Sequence, residues 1–219
     1  EVARRYDNLF KRGADNKYPS LDLVRLEKWY FGSKRGRVLD YGFGTGANLI
    51  HLLECGYQVD GIDATIEAKR LVERKLAQRP DIRPRAALKH IDTEAVSLPY
   101  DDKAFDYVVC LSVLSLLGSR ERIERVLREF VRVMKSNGKI VLDINGPTSE
   151  FARRGKLVGD DVYEYLGGPE DIPILCYCPG DENKFVDLLK PFIVDDVGFS
   201  AHKYVGNEIF EYIACARKP

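Results

Sequence analysis

A glycine-rich turn constrains the fold of this chain more than any other feature. An apolar run from Val38 to Tyr41 leads into Gly42-Phe43-Gly44-Thr45-Gly46, and residues 47–54 then follow a helical pattern. Glycine permits a tight turn and lets backbone N–H groups at the start of a helix approach a ligand closely. The G-x-G-x-G spacing differs from the G-x-G-x-x-G of dinucleotide sites, so it disfavours a nicotinamide-dependent dehydrogenase.

Apolar segments of strand length alternate with helical patterns over most of the chain. This alternation is typical of an α/β fold in which helices cover both faces of a mostly parallel sheet. The predicted strands cover residues 38–41, 58–62, 85–91, 105–113, 139–144, 193–197 and 208–216. The predicted helices cover residues 47–54, 66–78, 121–134 and 182–192, with Thr65 and Asp181 as N-caps of the second and fourth.

Residues 146–181 interrupt this alternation with glycines, prolines and aromatic residues. We expect an insertion or lid between the fifth and sixth strands, with a hairpin whose arms are residues 162–166 and 172–178. Residues 1–35 are predicted to form an N-terminal helical cap in which Ser20 begins a helix. The length of the whole chain, 1–219, predicts a single domain.

Charge and cysteine content disfavour several classes of protein. Thirty-four basic residues balance thirty-four acidic ones, so no net field attracts nucleic acid or an anionic membrane. The longest apolar stretch, residues 107–117, is too short to span a bilayer, and no secretory signal pattern is visible. Five scattered cysteines do not form a zinc-binding pattern. We expect a cytoplasmic protein with reduced thiols, no metal and no membrane partner. A nucleic-acid partner is disfavoured, and the oligomeric state is left open.

An acidic residue ends each of the two strands that follow the glycine turn. Asp63 closes the second predicted strand and Asp92 the third. Ligands of such sheets bind beyond the carboxyl ends of the strands, where a carboxylate can accept hydrogen bonds from ribose hydroxyls or an adenine amino group. Either aspartate alone would more often be a helix cap or a turn residue. Together with the glycine turn, they favour a nucleotide site.

Spaced motifs within residues 36–145 resemble the class I family of methyltransferases that depend on S-adenosylmethionine (SAM). Residues 40–46 resemble the family's first motif. Asp92 with residues 98–100 and 105–109 resembles its adenine-contacting turn and fourth strand, and residues 132–139 resemble the turn before its fifth strand. The resemblance implies SAM as cofactor, S-adenosylhomocysteine (SAH) as product, and methyl transfer as the activity. It also implies a three-layer, doubly wound, mostly parallel seven-stranded sheet whose last strand is antiparallel.

The resemblance implies cofactor contacts at four places along the chain. By position these are Asp40, Gly42, Gly44 and Gly46 for the methionine part of SAM, Asp63 for the ribose, Ala64, Asp92 and Thr93 for the adenine, and Leu111 and Ser112 for the sulfonium end.

Two segments depart from the family pattern. Ser136-Asn137-Gly138 stands where the family often has Pro-Gly, and it keeps the turn glycine. Leu111-Ser112-Val113-Leu114 replaces the Asn/Asp-Pro-Pro-aromatic signature of some nitrogen methyltransferases. This replacement argues against methylation of DNA adenine or of glutamine.

No residue identifies itself as a catalytic base, so the catalytic residues are left unassigned. The three histidines, His51, His90 and His202, are expected to be structural or exposed. Candidate acceptor-side residues beyond the fifth strand are Asn145, Glu150, Tyr163, Tyr165 and Tyr177. We predict a small-molecule or saccharide-type acceptor; a protein or nucleic-acid acceptor, and a non-catalytic protein that binds SAM or SAH, remain open.

Overall fold

The computed structural model describes residues 1–167, 172–205 and 207–219. Seven α-helices occur among them: α1 (Val2–Lys11), α2 (Leu21–Leu26), α3 (Ala47–Glu54), α4 (Ile66–Ala77), α5 (Arg120–Val133), α6 (Glu150–Arg154) and α7 (Glu182–Leu188). A π-helical turn (Glu27–Phe31) and two 3-10 turns (Arg83–Arg85 and Leu114–Leu117) complete the helical elements. The strands are β1 (Arg37–Tyr41), β2 (Gln58–Asp63), β3 (Ala86–His90), β4 (Phe105–Cys110), β5 (Met134–Asn145), β6 (Lys156–Gly159), β7 (Val162–Tyr165), β8 (Ile174–Tyr177), β9 (Ile193–Tyr204) and β10 (Asn207–Arg217).

Seven strands form the central sheet in the order β3-β2-β1-β4-β5-β10-β9. Strands β1 to β5 pair in parallel, and β10 runs antiparallel to both of its neighbours, β5 and β9. The chain therefore has the predicted doubly wound, seven-stranded sheet with an antiparallel last strand.

Buried side chains on the two faces of the sheet form two apolar cores. Successive residues of a strand point to opposite faces, so Val38 packs on the side covered by α3 and α4 while Leu39 packs on the side covered by α5 and α7. Helix α5 contributes Leu127 and Phe130, both fully buried, to the second core. These two layers of helix hold the sheet rigid, so the turns at its carboxyl edge have a fixed base.

A smaller antiparallel sheet, β6-β7-β8, lies within residues 146–181. Pairing of Val162 with Tyr177 and of Tyr165 with Ile174 confirms the predicted hairpin. Residues 168–171 of the predicted insertion lie outside the described part of the chain. Arg5 of α1 is buried against this sheet and donates hydrogen bonds to the carbonyl oxygens of Gly167 and, at 3.1 Å, Ile172. The small sheet thus anchors the N-terminal helix.

Several boundaries differ from the sequence-based expectations. Strand β5 begins at Met134 rather than residue 139, because Met134 already pairs with Phe105 of β4. The predicted turn, in which Asn137 is left-handed (φ +58°), is an irregularity within the strand. Strand β9 extends to Tyr204, although residues beyond 197 were predicted to lie outside it. Helix α7 ends at Leu188, four residues before the predicted end, and Asp181 caps it by accepting a hydrogen bond from the Lys184 N–H.

Two predictions from composition can also be compared with the structure. All five cysteines are free thiols, four of them buried, as expected for structural cysteines. Within the described residues, every helix is too short or too polar to cross a bilayer.

Candidate cofactor and acceptor site

A large cavity opens at the carboxyl ends of β1, β2 and β4. Its volume is about 940 Å³, which is near the upper end of the range of about 300–1,000 Å³ for small-molecule pockets. Of the predicted cofactor-binding residues, those that line it are Gly42, Gly44, Asp63, Ala64, Asp92, Thr93, Leu111 and Ser112. The structure therefore brings together residues that lie up to seventy positions apart in the sequence.

Glycine is required at the three positions of the turn for different structural reasons. All have positive φ, at +77° for Gly42, +50° for Gly44 and +82° for Gly46. A Cβ on Gly42 would lie 2.3 Å from Val113, and one on Gly46 would lie 2.5 Å from Val72, so both positions are closed by packing. A Cβ on Gly44 would meet no described atom within 4 Å and would point into open space at the cavity. Of the three glycines in the turn, Gly44 is therefore the one whose missing side chain leaves room for a ligand.

Asp63 links the glycine turn to the start of α4. One carboxylate oxygen accepts a hydrogen bond from the Gly44 N–H at 2.8 Å, and the other accepts from the N–H and hydroxyl of Thr65 at 2.8 and 2.5 Å. Thr65 is the first residue before α4, as predicted, but its hydroxyl bonds Asp63 instead of capping the helix. Burial raises the pKa of Asp63, against the lowering effect of these three donors.

Asp40 lies beneath the cavity rather than on its wall. Its carboxyl is buried, and one oxygen has no hydrogen-bond partner in the described part of the chain. Burial, reinforced by the nearby charge of Asp63, raises the pKa of Asp40 to about 7. A buried acid without a partner is costly, which makes Asp40 the group in this region with most to gain from a cationic ligand. Gly46 also lies outside the cavity wall.

The parts of the cavity wall beside β3 and beside β4 differ in construction. At the end near β3, Asp92 is exposed and accepts a hydrogen bond from the Glu94 N–H, while Arg122 donates to the Thr93 carbonyl and pairs with Glu94 at 2.7 Å. Next to β4, Ser112 has a left-handed backbone (φ +59°), and its N–H donates to the buried carboxylate of Asp143 at 2.6 Å. Asp143 therefore fixes the turn that carries Leu111 and Ser112 into the cavity.

Segments distant in the sequence form the opposite wall, which we call the acceptor end. It comprises residues of α2 and of the β9–β10 hairpin, namely Leu21, Asp22, Arg25, Ser200, His202, Tyr204, Ile209 and Glu211. Cross-strand pairing places Ile209 opposite His202 and Glu211 opposite Ser200. Helix α1 contributes Tyr6 and Phe10 to the roof between the two ends. The sequence interpretation did not identify this wall.

The candidate acceptor-side residues named from sequence lie elsewhere. None of Asn145, Glu150, Tyr163, Tyr165 and Tyr177 is among the described residues that line the cavity. Tyr165 instead donates a hydrogen bond to Glu150 and packs on Phe151. Asn145 reaches the cavity only through Glu211, to which its amide donates at 3.5 Å. The β9–β10 hairpin, not the insertion, lies over this part of the cavity.

One group of potential metal ligands occurs in the described residues, away from the cavity. Glu27, His51 and Cys55 bring one donor atom each within 4.8 Å of one another. Glu27 already accepts a hydrogen bond from the Tyr57 hydroxyl and pairs with Arg35 at 3.1 Å. The carboxylate is therefore neutralised within the protein, and we assign no metal to it.

Comparison with known proteins shows a methyltransferase-like segment in the middle of the chain. The model of a methyltransferase domain family matches residues 39–142, which hold the glycine turn, Asp63, Asp92 and the turn after β4. Residues 39–142 therefore match a methyltransferase domain, and the sheet has the fold of the class I family of SAM-dependent methyltransferases. SAM is the cofactor of that family.

Similar proteins differ in their acceptors. The chain is 36% identical to a glycine/sarcosine N-methyltransferase of Aphanothece halophytica over 49% of this chain and 39% of that protein. It is 31% identical to a ubiquinone/menaquinone biosynthesis C-methyltransferase of Xylella fastidiosa over 68% of this chain and 58% of that protein. It spans less than two thirds of the length of these curated relatives. A SAM-dependent methyltransferase structure from Methanosarcina mazei superposes with a TM-score of 0.71 at 24% identity, over 83% of this chain and 92% of that one, which shows the shared fold.

The residues present in this methyltransferase domain fit SAM. The cofactor has an ammonium group, a ribose diol and an adenine, and the cavity together with Asp40 beneath it offers a partner for each. One oxygen of the buried Asp40 carboxyl lacks a partner, Asp63 and Asp92 line the cavity, and the Gly44 position leaves open space. A volume of about 940 Å³ also leaves room for a second small molecule beside the cofactor.

Proposed function

We propose that this chain binds SAM in the cavity and transfers its methyl group to a small-molecule acceptor. The observation that carries the proposal is the convergence of Gly44, Asp63 and Asp92 on one large cavity in a domain of this family. The nucleophile of a methyl transfer must be aligned with the S–CH₃ bond, and orientation of this kind supplies much of the rate enhancement. A deep cavity with walls from four segments favours a small acceptor over a macromolecular one.

Most of the predicted residues have a proposed role in holding the cofactor. Asp40 attracts the ammonium group, directly or through water, while the open Gly44 position admits the methionine part. Asp63 binds the ribose hydroxyls and keeps the glycine turn in place through its bond to the Gly44 N–H. Ala64, Asp92 and Thr93 surround the adenine.

The turn after β4 would carry the reacting end of the cofactor. Asp143 holds the Ser112 backbone, so Leu111 and Ser112 keep a fixed position against the sulfonium. When bound, SAM supplies an electrophilic methyl group. The protein's part is to orient the acceptor at the acceptor end and to exclude water there.

The predicted cap and insertion have separate roles in this proposal. Residues of α1 and α2, within the 1–35 cap, line the cavity directly. No described residue of 146–181 lines it, so the insertion acts by anchoring Arg5 and, through it, α1. We propose that the chain works as one domain, with α1 as part of the cavity wall.

Calorimetric titration with SAM, SAH and NAD tests the cofactor assignment. We expect saturable binding of SAM and SAH and none of NAD, because the turn lacks dinucleotide spacing. Binding of NAD alone, or of none of the three, contradicts the proposal. Binding of SAM without SAH formation across a broad acceptor panel favours a non-catalytic binding protein. SAH formation only with protein or nucleic acid places the acceptor in the macromolecular class.

A further inference from the structure

Two carboxylates face the acceptor end without a cation to neutralise them. Asp22 of α2 and Glu211 of β10 both line the cavity. Neither has an ion-pair partner among the described residues. By contrast, Glu208, three residues before Glu211 on the same strand, pairs with Arg153 at 2.6 Å and Lys203 at 3.1 Å. The hairpin therefore neutralises its outer acid and leaves its cavity-facing acid unpaired.

The position of Glu211 is fixed by the sheet. It pairs across the ladder with Asn145 on one side and Ser200 on the other, where β10 leaves the cover of β5 and continues as a hairpin with β9. Its carboxylate accepts a long hydrogen bond of 3.5 Å from the Asn145 amide. Side chains of β10 alternate between faces, so Phe210 and Tyr212 pack on the apolar side while Ile209 and Glu211 turn to the cavity.

The groups around Glu211 make a negatively charged neighbourhood. Burial, then repulsion by Asp22, raises the pKa of Glu211. Burial, then the charge of Glu211, raises the pKa of Asp143 well above its ordinary value. Among the described residues that line this end, the basic ones are Arg25, which is exposed, and His202, which stacks on Tyr204. Neither forms an ion pair with Glu211, so a cation placed between Asp22 and Glu211 would relieve the repulsion.

We propose that the acceptor is a small amine that enters as an ammonium ion, binds between Asp22 and Glu211, and gives its proton to the Glu211 carboxylate. This inference rests on the proposed methyl transfer and names its substrate class. A neutral or anionic acceptor would leave the two carboxylates unpaired, at the cost of burying like charges together. An ammonium satisfies both.

The proton and electron balance of the step is simple. The ammonium R–NH₃⁺ transfers one proton to Glu211, which leaves a neutral amine with a free lone pair and a protonated carboxyl. The lone pair forms the new N–CH₃ bond as the S–CH₃ bond breaks, and the electrons of that bond remain on sulfur. The product is the N-methylammonium ion R–NH₂⁺–CH₃ with SAH. Glu211 returns its proton to solvent when the product leaves, so no oxidant or metal is required.

The test compares amines with their isosteric alcohols on the full chain saturated with SAH. The probes are ethanolamine, benzylamine and tyramine, paired with ethylene glycol, benzyl alcohol and 4-hydroxyphenethyl alcohol. We expect at least one amine, and none of the alcohols, to raise the melting temperature of the SAH complex and to bind saturably in calorimetry. With SAM in place of SAH, the same amine should be methylated. If amines and alcohols behave alike, the proposal is wrong.

Conservative variants separate this inference from the proposed function. Glu211→Gln and Asp22→Asn should weaken amine binding about tenfold or more, the scale of a lost charge-assisted bond. Both should keep the affinity for SAH. Glu208→Gln, on the same strand but outside the cavity, should change neither. If the unmodified chain does not bind SAH, the proposed function is wrong. If it binds SAH but Glu211→Gln has the same amine affinity, only the amine assignment is wrong.

Discussion

The two ends of the cavity are built in different ways. The cofactor end consists of turns that directly follow β1, β2, β3 and β4, with Gly44, Asp63 and Asp92 at their tips. The acceptor end joins α2, near the start of the chain, to the β9–β10 hairpin near its end. The first end follows from the sheet itself, while the second depends on contacts between segments about 190 positions apart. One domain can therefore keep its cofactor end while changing its acceptor.

The two ends also differ in whether their charged side chains have partners within the protein. At the cofactor end, Asp63 is engaged by the Gly44 N–H and Thr65, and Arg122 balances Glu94. At the acceptor end, Asp22 and Glu211 have no ion-pair partner among the described residues, and Glu211 accepts only a long hydrogen bond from Asn145. In the proposed function, the paired charges hold the walls of the cavity and the unpaired charges bind the acceptor.

The largest expected effect is at Gly44. Gly44→Val should abolish SAM binding, a loss of about a hundredfold or more, because the side chain would occupy the open space at the cofactor end. Gly13→Val is the matched control: φ is +91° there, no described atom lies within 4 Å of a Cβ, and the residue does not line the cavity. Both variants carry backbone strain of about 1–2 kcal/mol, so calorimetry and melting temperature together separate strain from obstruction. Normal SAM binding by a folded Gly44→Val would place the cofactor elsewhere.

The second prediction concerns Asp40 and pH. Because its pKa is raised to about 7, the folded protein keeps a proton between about pH 4 and 7 that the unfolded chain has lost. Asp40 therefore makes its full contribution to the free energy of unfolding below about pH 4, and this contribution declines as the pH rises to about 7. Asp40→Asn should flatten this decline, by about 2–4 kcal/mol at most, in urea unfolding measured across that range. Asp60→Asn, which breaks a bidentate pair with Arg37 instead, should lower stability without flattening the decline.

SAM binding provides a second test of the role of Asp40. Its ammonium group beside Asp40 would lower the pKa of that carboxyl, so SAM binding near pH 7 should release a proton. The calorimetric heat of binding should then depend on the ionisation enthalpy of the buffer, and this dependence should vanish in Asp40→Asn. An unchanged dependence would remove Asp40 from the cofactor end.

The cofactor end was readable from sequence because its signals are local. Helix α3 was predicted with its observed bounds, Ala47–Glu54, since glycines mark both of its ends. Asp63 and Asp92 were found because each closes an apolar strand of the parallel sheet. The sequence did not reveal that both carboxylate oxygens of Asp63 accept hydrogen bonds, one from Gly44 and the other from Thr65. Those bonds depend on how the turns after β1 and β2 meet.

The acceptor end was missed for a physical reason. Residues 198–204 are mostly exposed and have no apolar alternation, because this part of the hairpin extends beyond the end of β5. Glu211 lay in a predicted strand, but its direction is set by pairing with Asn145, sixty-six residues earlier. Long-range register of this kind has no local signature, and the glycine-rich insertion drew the interpretation to residues 146–181 instead.

The third prediction is at Asp63. Asp63→Ala should weaken SAM binding by about 1–3 kcal/mol, since it removes the ribose partner and frees the Gly44 N–H from its bond. Asp60→Asn on the same strand serves as control, because Asp60 bonds Arg37 rather than the cavity. Calorimetry on both variants, with melting temperatures, checks it. Equal affinities in the two variants would contradict the ribose assignment.

The smallest effect is expected where the insertion reaches the cavity only indirectly. Arg5→Met keeps the length of the side chain but removes the donors to the carbonyls of Gly167 and Ile172. The melting temperature should fall, and SAM affinity should drop about three- to tenfold, because α1 carries Tyr6 and Phe10 into the roof of the cavity. Arg4→Met is the matched control, since Arg4 is exposed and only approaches Glu1 at 4.0 Å. If Arg5→Met loses stability but keeps its SAM affinity, α1 is a packing element rather than a wall of the site, and the acceptor end rests on α2 and the hairpin alone.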